Sequence, residues 1–484
     1  MAKSAAEISA AVKTRFPYAP THDQDGLIEA LAAFLVDPNP NSLFILKGYA
    51  GTGKTTIVSS LVDVLPSLGL GHVLLAPTGR AAKVLAGYSG EQAFTIHKKI
   101  YRLQTDGQGA MYFALQKNNR RNAVFIVDEA SMIPWSSQAG QQGSIFGGAN
   151  LLDDLMQYVY NGKNCRMIFI GDTAQLPPVM SHESPALSTS FLQQRYHLSI
   201  NGFELQQVVR QSLDSGILRN ATILREMLAQ QENGFPALRT SGFPDTIRVQ
   251  GMDAADEVDA AFAGREKGEA LMICRSNKRA NLYNRHIRQR VLFMEDELNA
   301  GDLLMVVRNN YYWLPEDHDA GFIANGDILE VKRILREENI HGFRFAEVSA
   351  SMTDYPDMPE LEVKLLLDTL DADGPALSGD EATRLYEAVG QDYQDIPNKR
   401  TRMANIRKDP YLNALQVKFA YAMTCHKAQG GQWQHVFVEM GYLPDNTPDQ
   451  EYLRWLYTAM TRATSKLFLL NFTDDFFVDE CGPA

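Results

Sequence analysis

The sequence predicts an α/β chain built from two similar units, and three observations carry that reading. Short apolar runs, Leu43 to Leu46, Val73 to Ala76, Val124 to Val127 and Met167 to Ile170, have the length of buried strands, and each ends in a polar or glycine turn. Stretches of helical length separate them, the alternation expected of parallel sheets covered by helices. From near Tyr196 the pattern starts again, departs at Gly301 into a stretch rich in β signals, and resumes near Ala414.

Taken in order, Ser4 to Phe16 has helical spacing of apolar residues, and Pro20-Thr21 precedes an amphipathic helix from His22 to Leu35. Gln24 sits in its first turn, and a Gln amide can read both the donor and the acceptor of an adenine edge. The segment LFILKGYAGTGKTTIVS then reads as strand, glycine loop and helix. Gly48, four residues, then Gly53, Lys54 and Thr55 is the spacing of a phosphate-binding loop. Such a loop turns the N–H groups of residues like Ala50, Gly51, Thr52 and Gly53 toward phosphates, and the helix opening at Lys54-Thr55-Thr56 adds its positive end. Lys54 can reach the β and γ oxygens, and the Thr55 hydroxyl can hold Mg²⁺.

A second strand ends in Pro77-Thr78-Gly79-Arg80, where α/β sheets place their ligands. Thr78, Arg80 and Lys83 are therefore candidate contacts to a nucleic-acid backbone, and FTIHK adds Thr95 and His97. Residues 98–121 are basic at both ends, carry Asp106-Gly107 and Gly109, and read as a small β-hairpin. Its Tyr112 and Phe113 suit base stacking or strand separation. AVFIVDEASMI then sets Asp128 and Glu129 at a strand end, Asp128 toward Mg²⁺ and its water, Glu129 toward the attacking water. Pro134 to Asn150 is rich in Gly, Gln and Ser and reads as a loop before a helix near Leu151. In GDTAQLPPV, Asp172 and Gln175 follow a strand, Gln175 in position to sense a γ-phosphate, and Pro177-Pro178 stiffens the exit.

In the second unit, Arg210 and Gln211 follow a strand-like run, and a helix covers Ser215 to Gln231. LMICRSNKRANLYNRHIRQRV is a strand entering a basic helix, whose local charge opposes that of the whole chain. Between Gly301 and Asn413 the pieces LLMVVRNN, DILEVKRIL, FRFAEVSA and LEVKLLL, with turns at Asn325-Gly326 and His341-Gly342, indicate a small barrel. A helical section ending in the basic NKRTRMANIRK follows. KFAYAMTCHKAQGGQ returns to the second unit and puts Thr424, His426, Lys427, Gln429, Gly430 and Gln432 on a turn between strands. A last helix carries Tyr457, Thr458, Thr461 and Arg462.

At 484 residues the chain exceeds one core, and a net charge of −12 argues against a protein that simply coats nucleic acid while leaving room for a basic groove. The four cysteines are scattered without a CxxC pair, so neither zinc nor a disulfide framework is expected, and a reducing compartment fits. The N-terminus lacks the apolar core of a signal peptide and no run approaches membrane-spanning length, so a cytoplasmic protein is expected.

The ordered strings GYAGTGKT, APTGRAAK, VDEASM, GDTAQLPPV, VVRQ, MTCHKAQGGQ and YTAMTRA resemble the motifs of superfamily 1 helicases. FTIHK, the short first insertion and the NGD turn at Asn325 to Asp327 make the chain most similar to the RecD/Dda branch. The resemblance implies a RecA-like domain over 1–97 and 122–195, a hairpin pin over 98–121, a second RecA-like domain over 196–300 and 414–484, and an SH3-like barrel over 301–413. It implies ATP and Mg²⁺ as cofactors, 5′ to 3′ movement on single-stranded DNA, tailed duplex as substrate, no membrane, a location at the nucleoid or in phage replication, and sufficiency of a monomer. By matching position, Gln24 would read adenine; Gly51, Gly53, Lys54 and Thr55 would hold triphosphate and metal; Asp128 and Glu129 would serve hydrolysis; and Gln175 would sense the γ-phosphate. Arg210 and Arg462 would be fingers from the second domain, and Thr78, His97, Thr424 and His426 would line the DNA track. One departure is AQGGQ, where Gly431 is expected to loosen a DNA contact. Two other functions fit the motifs: a translocase that displaces proteins or remodels RNA, and a nucleotide-gated scaffold.

Overall fold

The computed structural model describes residues 4–105, 111–135, 150–179, 181, 183–207, 214–251, 253–263, 268–314, 322–355, 358–443 and 445–478, with the side chains of 103–105 and 111–113 outside that description. Most of the loop expected at Pro134 to Asn150 also falls outside it. Helices α1 (Ala5–Arg15) and α2 (His22–Val36) each open on a capping box, Ser4 with Glu7 and Thr21 with Gln24. They lead into β1 (Ser42–Gly48), α3 (Lys54–Val64), β2 (Gly71–Ala76), α4 (Gly79–Ser89), β3 (Ala93–Thr95) and α5 (Ile96–Ile100). The antiparallel hairpin β4 (Tyr101–Thr105) and β5 (Met111–Leu115) follows, then β6 (Arg121–Val127), α6 (Leu151–Tyr160), β7 (Lys163–Gly171), α7 (Thr189–Tyr196) and β8 (Ser199–Leu205).

The first sheet runs β3-β2-β6-β7-β1-β8, and every pair is parallel. Successive side chains on its central strands leave opposite faces, so a run with no polar residue serves two cores at once. Phe44, Leu46, Val124, Ile126, Ile168 and Ile170 pack against α1 to α4, while Leu43, Ile45, Phe125, Val127, Met167 and Phe169 pack against α5 and α6. The second unit was expected to start near Tyr196, but β8 pairs with β1 from Ser42↔Ser199 to Gly48↔Leu205 and belongs to the first sheet. As an edge strand it is mostly unburied, which hides the apolar run that marks its neighbours.

The second half begins with α8 (Gly216–Gln230), β9 (Thr246–Val249), α9 (Asp253–Phe262), β10 (Ala270–Cys274) and α10 (Asn277–His286). The chain then enters a closed barrel of β11 (Leu303–Val306), β12 (Ile328–Ile340), β13 (Phe343–Met352), β14 (Leu361–Leu366) and β15 (Leu415–Phe419), with α11 (Gly379–Gln391) and α12 (Lys399–Arg407) before the last strand. It returns through β16 (Ala422–Thr424), α13 (Cys425–Ala428), β17 (Trp433–Glu439), α14 (Gln450–Met460) and β18 (Ala463–Leu470), completing a parallel sheet of order β16-β10-β17-β18-β9. The fold is thus α/β with two parallel sheets, a hairpin and a barrel. One boundary moves: β15 lies beyond Asn413, the expected end of the insertion, because LQVKF closes the barrel against β11 and β14 before Ala422 joins β10. His341 and Gly342, both at positive φ, make the β12–β13 turn. Beyond the barrel, Phe343, Phe345 and Leu366 form a separate small core with Leu385, Val389 and Ile406 of α11 and α12.

Two of the seams that join the first sheet's unit to the rest run along α4. At one, the Arg80 guanidinium on α4 lies 4.0 Å over the Trp433 ring and Nη2 donates to the Gln432 carbonyl at 3.3 Å. Gly431 permits this: a Cβ there would stand 2.5 Å from the Trp433 ring and 2.8 Å from Arg80 Cδ. At the other seam Lys83 Nζ meets Asp354 Oδ1 at 3.2 Å, and buried Asp327 faces Gly79. Asp327 Oδ2 accepts from Ala324 N–H at 2.7 Å, closing the Asn325-Gly326 turn, while Oδ1 has no partner. Burial pushes the Asp327 carboxyl up to about 7, with Asp354 adding to the shift against the Ala324 N–H.

Gly431→Ala should cost about 1–3 kcal/mol through overpacking, read as a lower Tm; an unchanged Tm would mean that Arg80 and Trp433 do not meet this closely. Because the native state keeps the Asp327 proton to about 7 while the unfolded chain releases it near 3.8, stability falls as pH rises between those values. Asp327→Asn, which keeps the acceptor and removes the charge, should therefore melt higher than wild type at pH 8 and match it near pH 4.

Candidate nucleotide and nucleic-acid site

The phosphate loop owes its shape to two glycines. Gly51 and Gly53 have φ of +74° and +84°, the left-handed region that costs glycine least, and Gly53 is the N-cap of α3. Gly48 serves differently: a Cβ there would be 3.0 Å from Lys54 Cγ and Cδ, so its absence lets the lysine lie back over the loop. Lys54 Nζ donates to the carbonyls of Gly48 at 2.5 Å and Tyr49 at 2.8 Å. Thr52 is buried, and its hydroxyl donates to the Tyr49 carbonyl at 2.8 Å. Gln24 is buried too; its Nε2 donates to the Thr52 carbonyl at 3.1 Å and its Oε1 accepts from Thr21 N–H at 3.0 Å. Gln24 thus ties α2 to the loop, leaving one amide hydrogen and one lone pair for a ligand.

The loop borders a cavity of about 430 Å³ that lies between the two sheets. Ala50, Gly51, Gly53, Lys54, Thr55 and Thr56 line one wall, with Gln24 and the half-exposed Tyr18 at one end. Asp128, Glu129, Asp172 and Gln175 come from the carboxyl ends of β6 and β7, and Gln432, Thr461 and Arg462 face them from the second unit. Asp128 Oδ1 accepts from Glu129 N–H at 2.9 Å and Oδ2 accepts from the Tyr88 hydroxyl at 2.5 Å. Glu129 sits at φ +50°, and its Oε1 is 3.9 Å from Arg462 Nη1. Burial pushes the Glu129 carboxyl up to about 7; Arg462 pulls it back and Asp128 adds to the rise.

Arg462 is buried and held for that position. Its Nε donates to the Thr458 carbonyl at 3.0 Å, Nη1 to the Gly431 carbonyl at 3.3 Å and Nη2 to the Thr461 hydroxyl at 3.2 Å. Gln175 is buried with its Oε1 unpartnered. Tyr457 of α14 reaches across to donate to Asp172 Oδ2 at 2.6 Å and to accept from Ala50 N–H at 3.0 Å. Arg210 lies outside the described residues. A different arginine of the second unit, Arg225 on α8, stacks 4.7 Å from the Tyr49 ring.

The candidate DNA residues are less uniform. The Thr78 hydroxyl caps α4 by accepting from Ala81 N–H at 3.2 Å, and a Cβ on Gly430 would be 3.2 Å from it, so Thr78 meets the Thr424-to-Gln432 turn across the seam. Arg80 is engaged by Trp433 and Lys83 by Asp354, so neither stands free for a backbone phosphate in this arrangement. Gly431, expected to loosen a DNA contact, makes room for Arg80 against Trp433. His97 is held neutral, burial pushing it down to about 4, and its ring lies 5.8 Å from Tyr101. Thr424 is half-buried at the start of α13 and His426 is exposed on it. The backbones of Tyr112 and Phe113 pair with Gln104 and Leu103 in the hairpin, and their side chains lie outside the description.

The sequence reading missed Tyr18, Tyr88 and Arg225 and gave Tyr457 no role. A tyrosine at helical spacing reads as core, and only the fold brings these hydroxyls and rings to the cavity. Cys165, Cys274 and Cys425 are buried and free. Among the described residues no group of three or more His, Cys, Asp or Glu could hold a metal, and no helix is long and apolar enough to cross a membrane.

Two family models match: an AAA domain over residues 23–242 and a UvrD-like helicase C-terminal domain over 419–470. An uncharacterised protein of Acanthamoeba polyphaga mimivirus is 22% identical over 89% of this chain and 96% of its own length. The ATP-dependent RecD2 DNA helicase of Deinococcus radiodurans is 34% identical over 33% of this chain and 19% of its own, and the ATP-dependent DNA helicase Dda of Enterobacteria phage T4 is 26% identical over 54% and 55%. The chain therefore spans about a fifth and about half of those two named relatives. A solved structure of Bacteroides Pif1 helicase with ADP-AlF3 and single-stranded DNA superposes with a TM-score of 0.46 at 15% identity, covering 96% of this chain and 95% of that one. The seven ordered motifs, the two parallel sheets, and an AAA-domain match and a UvrD-like helicase C-terminal match on one polypeptide make the chain similar to superfamily 1 helicases of the RecD-like branch.

Proposed function

We propose that this chain is an ATP-driven DNA helicase that moves 5′ to 3′ on single-stranded DNA and separates duplex ahead of it. The observation that carries the reading is Glu129 at 3.9 Å from Arg462: an acid from the first sheet and a cation from the second meet in the cavity that the phosphate loop borders. Hydrolysis there depends on how the two domains sit, which is what a motor requires. A scaffold that only binds nucleotide needs neither the acid nor the buried arginine facing it.

The residues fit ATP with Mg²⁺. Thr55 and Asp128 line the same cavity, and Gln175 presents a buried acceptor without a partner. Bound Mg²⁺ would supply charge neutralisation across the β- and γ-phosphates, with Thr55 and Asp128 as the residues to hold it. Lys54, now on two neutral carbonyls, exchanges them for phosphate oxygens, a charge-assisted bond roughly twice as strong. Gln24 and Tyr18 take the adenine end. Glu129, ionised by the approach of cationic charge, orients the attacking water and accepts its proton. Arg462 stabilises charge on the equatorial oxygens, and Arg210 is assigned the same task from its motif.

Movement follows from the seams. Loss of the γ-phosphate withdraws the charge that Arg462 and Gln175 face, so the preferred spacing of the two domains changes. If Thr78 and His97 on one side and Thr424 and His426 on the other grip the strand in turn, each cycle advances the chain along it. The hairpin bearing Tyr112 and Phe113 is the element assigned to part the duplex.

Lys54→Ala should abolish ATP turnover and leave binding of single-stranded DNA intact; unchanged hydrolysis would reject the phosphate-loop assignment. Arg462→Ala should lower kcat at least 100-fold, about 2.7 kcal/mol of transition-state stabilisation, with a much smaller change in nucleotide affinity. The direction is read from duplexes carrying one single-stranded tail: opening of the 5′-tailed substrate alone is expected. Opening of the 3′-tailed one alone would reverse the polarity, and opening of neither, with ATPase still stimulated by single strands, would favour a translocase that displaces proteins or remodels RNA.

A further inference from the structure

Helix α4 touches three parts of the molecule with one stripe of side chains. Arg80, Val84 and Tyr88 are spaced four apart and so share a face, spanning about 12 Å at 1.5 Å per residue. At the N-terminal end Arg80 lies over Trp433 and bonds the Gln432 carbonyl, both of the second motor domain. Val84 and Tyr88 line the nucleotide cavity, which Gln432 also lines. At the C-terminal end the Tyr88 hydroxyl donates to Asp128 Oδ2 at 2.5 Å. Lys83, one position back from Val84, fastens the same helix to Asp354 of the barrel unit at 3.2 Å.

We infer that Tyr88 is a positioning residue for Asp128, and that the Arg80-Val84-Tyr88 face of α4 makes this carboxylate respond to contact between the two domains. The inference rests on the reading of Asp128 as the metal carboxylate. Asp128 has two oxygens to place. Glu129 N–H fixes Oδ1 and the Tyr88 hydroxyl fixes Oδ2, so the plane of the carboxylate is set by one backbone donor and one side chain of α4. Partners of this kind orient a metal-binding carboxylate and tune its affinity. The Tyr88 ring is partly buried and packs against the core beneath α1 to α4, so a shift of the helix carries the hydroxyl with it. A shift of α4 driven at Arg80 by the second domain is therefore delivered at Asp128.

The test uses the full chain and a fluorescent ADP, titrated in EDTA and then against increasing Mg²⁺, with ATPase measured in parallel. Tyr88→Phe keeps the ring and removes the one donor. It should bind nucleotide in EDTA within about twofold of wild type while the Mg²⁺ concentration giving half of the metal-dependent gain in affinity rises about 10-fold or more. Arg80→Ala should raise that concentration in the wild-type background and not in the Tyr88→Phe background, since both act through one contact. If Tyr88→Phe leaves the Mg²⁺ dependence unchanged while wild type shows one, the tyrosine is packing and the inference fails alone. If wild type itself shows no Mg²⁺-linked affinity, the assignment of Asp128 fails and takes the inference with it. Additive effects of Arg80→Ala and Tyr88→Phe would overturn the link along α4.

Discussion

Leu176 is held by both of its backbone groups to the other half of the protein. Its N–H donates to the Thr458 hydroxyl at 2.8 Å and its carbonyl accepts from Gln429 Nε2 at 2.8 Å, both out of water, while its side chain joins the core of the second sheet. Leaving such buried groups unpaired costs about 1–3 kcal/mol each, so the turn from Asp172 to Leu176 cannot withdraw by a fraction of a hydrogen bond. It is seated or it is out. The same turn presents Asp172 to Tyr457, whose hydroxyl also holds Ala50 of the phosphate loop. The position of Arg462 against Glu129 follows from this seating, because Thr458 anchors both Leu176 and, through its carbonyl, the Arg462 guanidinium.

The cavity combines charges that would be unfavourable apart. Glu129 is an acid in a left-handed backbone conformation and only partly exposed, two conditions that cost stability and persist only where the surroundings over-determine them. Arg462 is buried, and each of its three guanidinium nitrogens donates to a backbone or hydroxyl oxygen before it faces the acid. This leaves the pair at 3.9 Å, too long for a hydrogen bond and short enough for mutual electrostatic influence. Neither partner is neutralised by a tight bond, so both remain available to a substrate that arrives between them.

Much of this was legible in the sequence. The phosphate loop could be read because its constraint is local: glycines at fixed offsets, a strand before, a helix after. The two-sheet plan was legible because strands buried on both faces leave unbroken apolar runs. What escaped was set by pairing across long separations. β8 is an edge strand with little burial, and β15 and β16 share one apolar run split by two residues between two sheets. The tyrosines escaped for another reason: Tyr88 and Tyr457 have the spacing of core residues, and the hydroxyl that matters in each reaches its partner only in the folded chain. The packing of Arg80 and Trp433 at Gly431 escaped because a missing side chain says that something is close without saying what.

The barrel shares a single apolar core with the second sheet. Leu304, Val331, Val348 and Val417 from the barrel lie in the same cluster as Leu271, Phe437 and Leu456 from the domain of the second sheet, and only Ala420 and Tyr421 separate the last barrel strand from the first returning one. Tyr421 bonds back to the Leu303 N–H and to Asp302, which is itself paired with Arg288 below α10. An inserted segment with its own core could be removed or exchanged like a cassette. This one could not: cutting it out would unseat β16 and expose the interior of the domain that received it, whereas the β12–β13 tip and the two helices packed on it have a small core of their own.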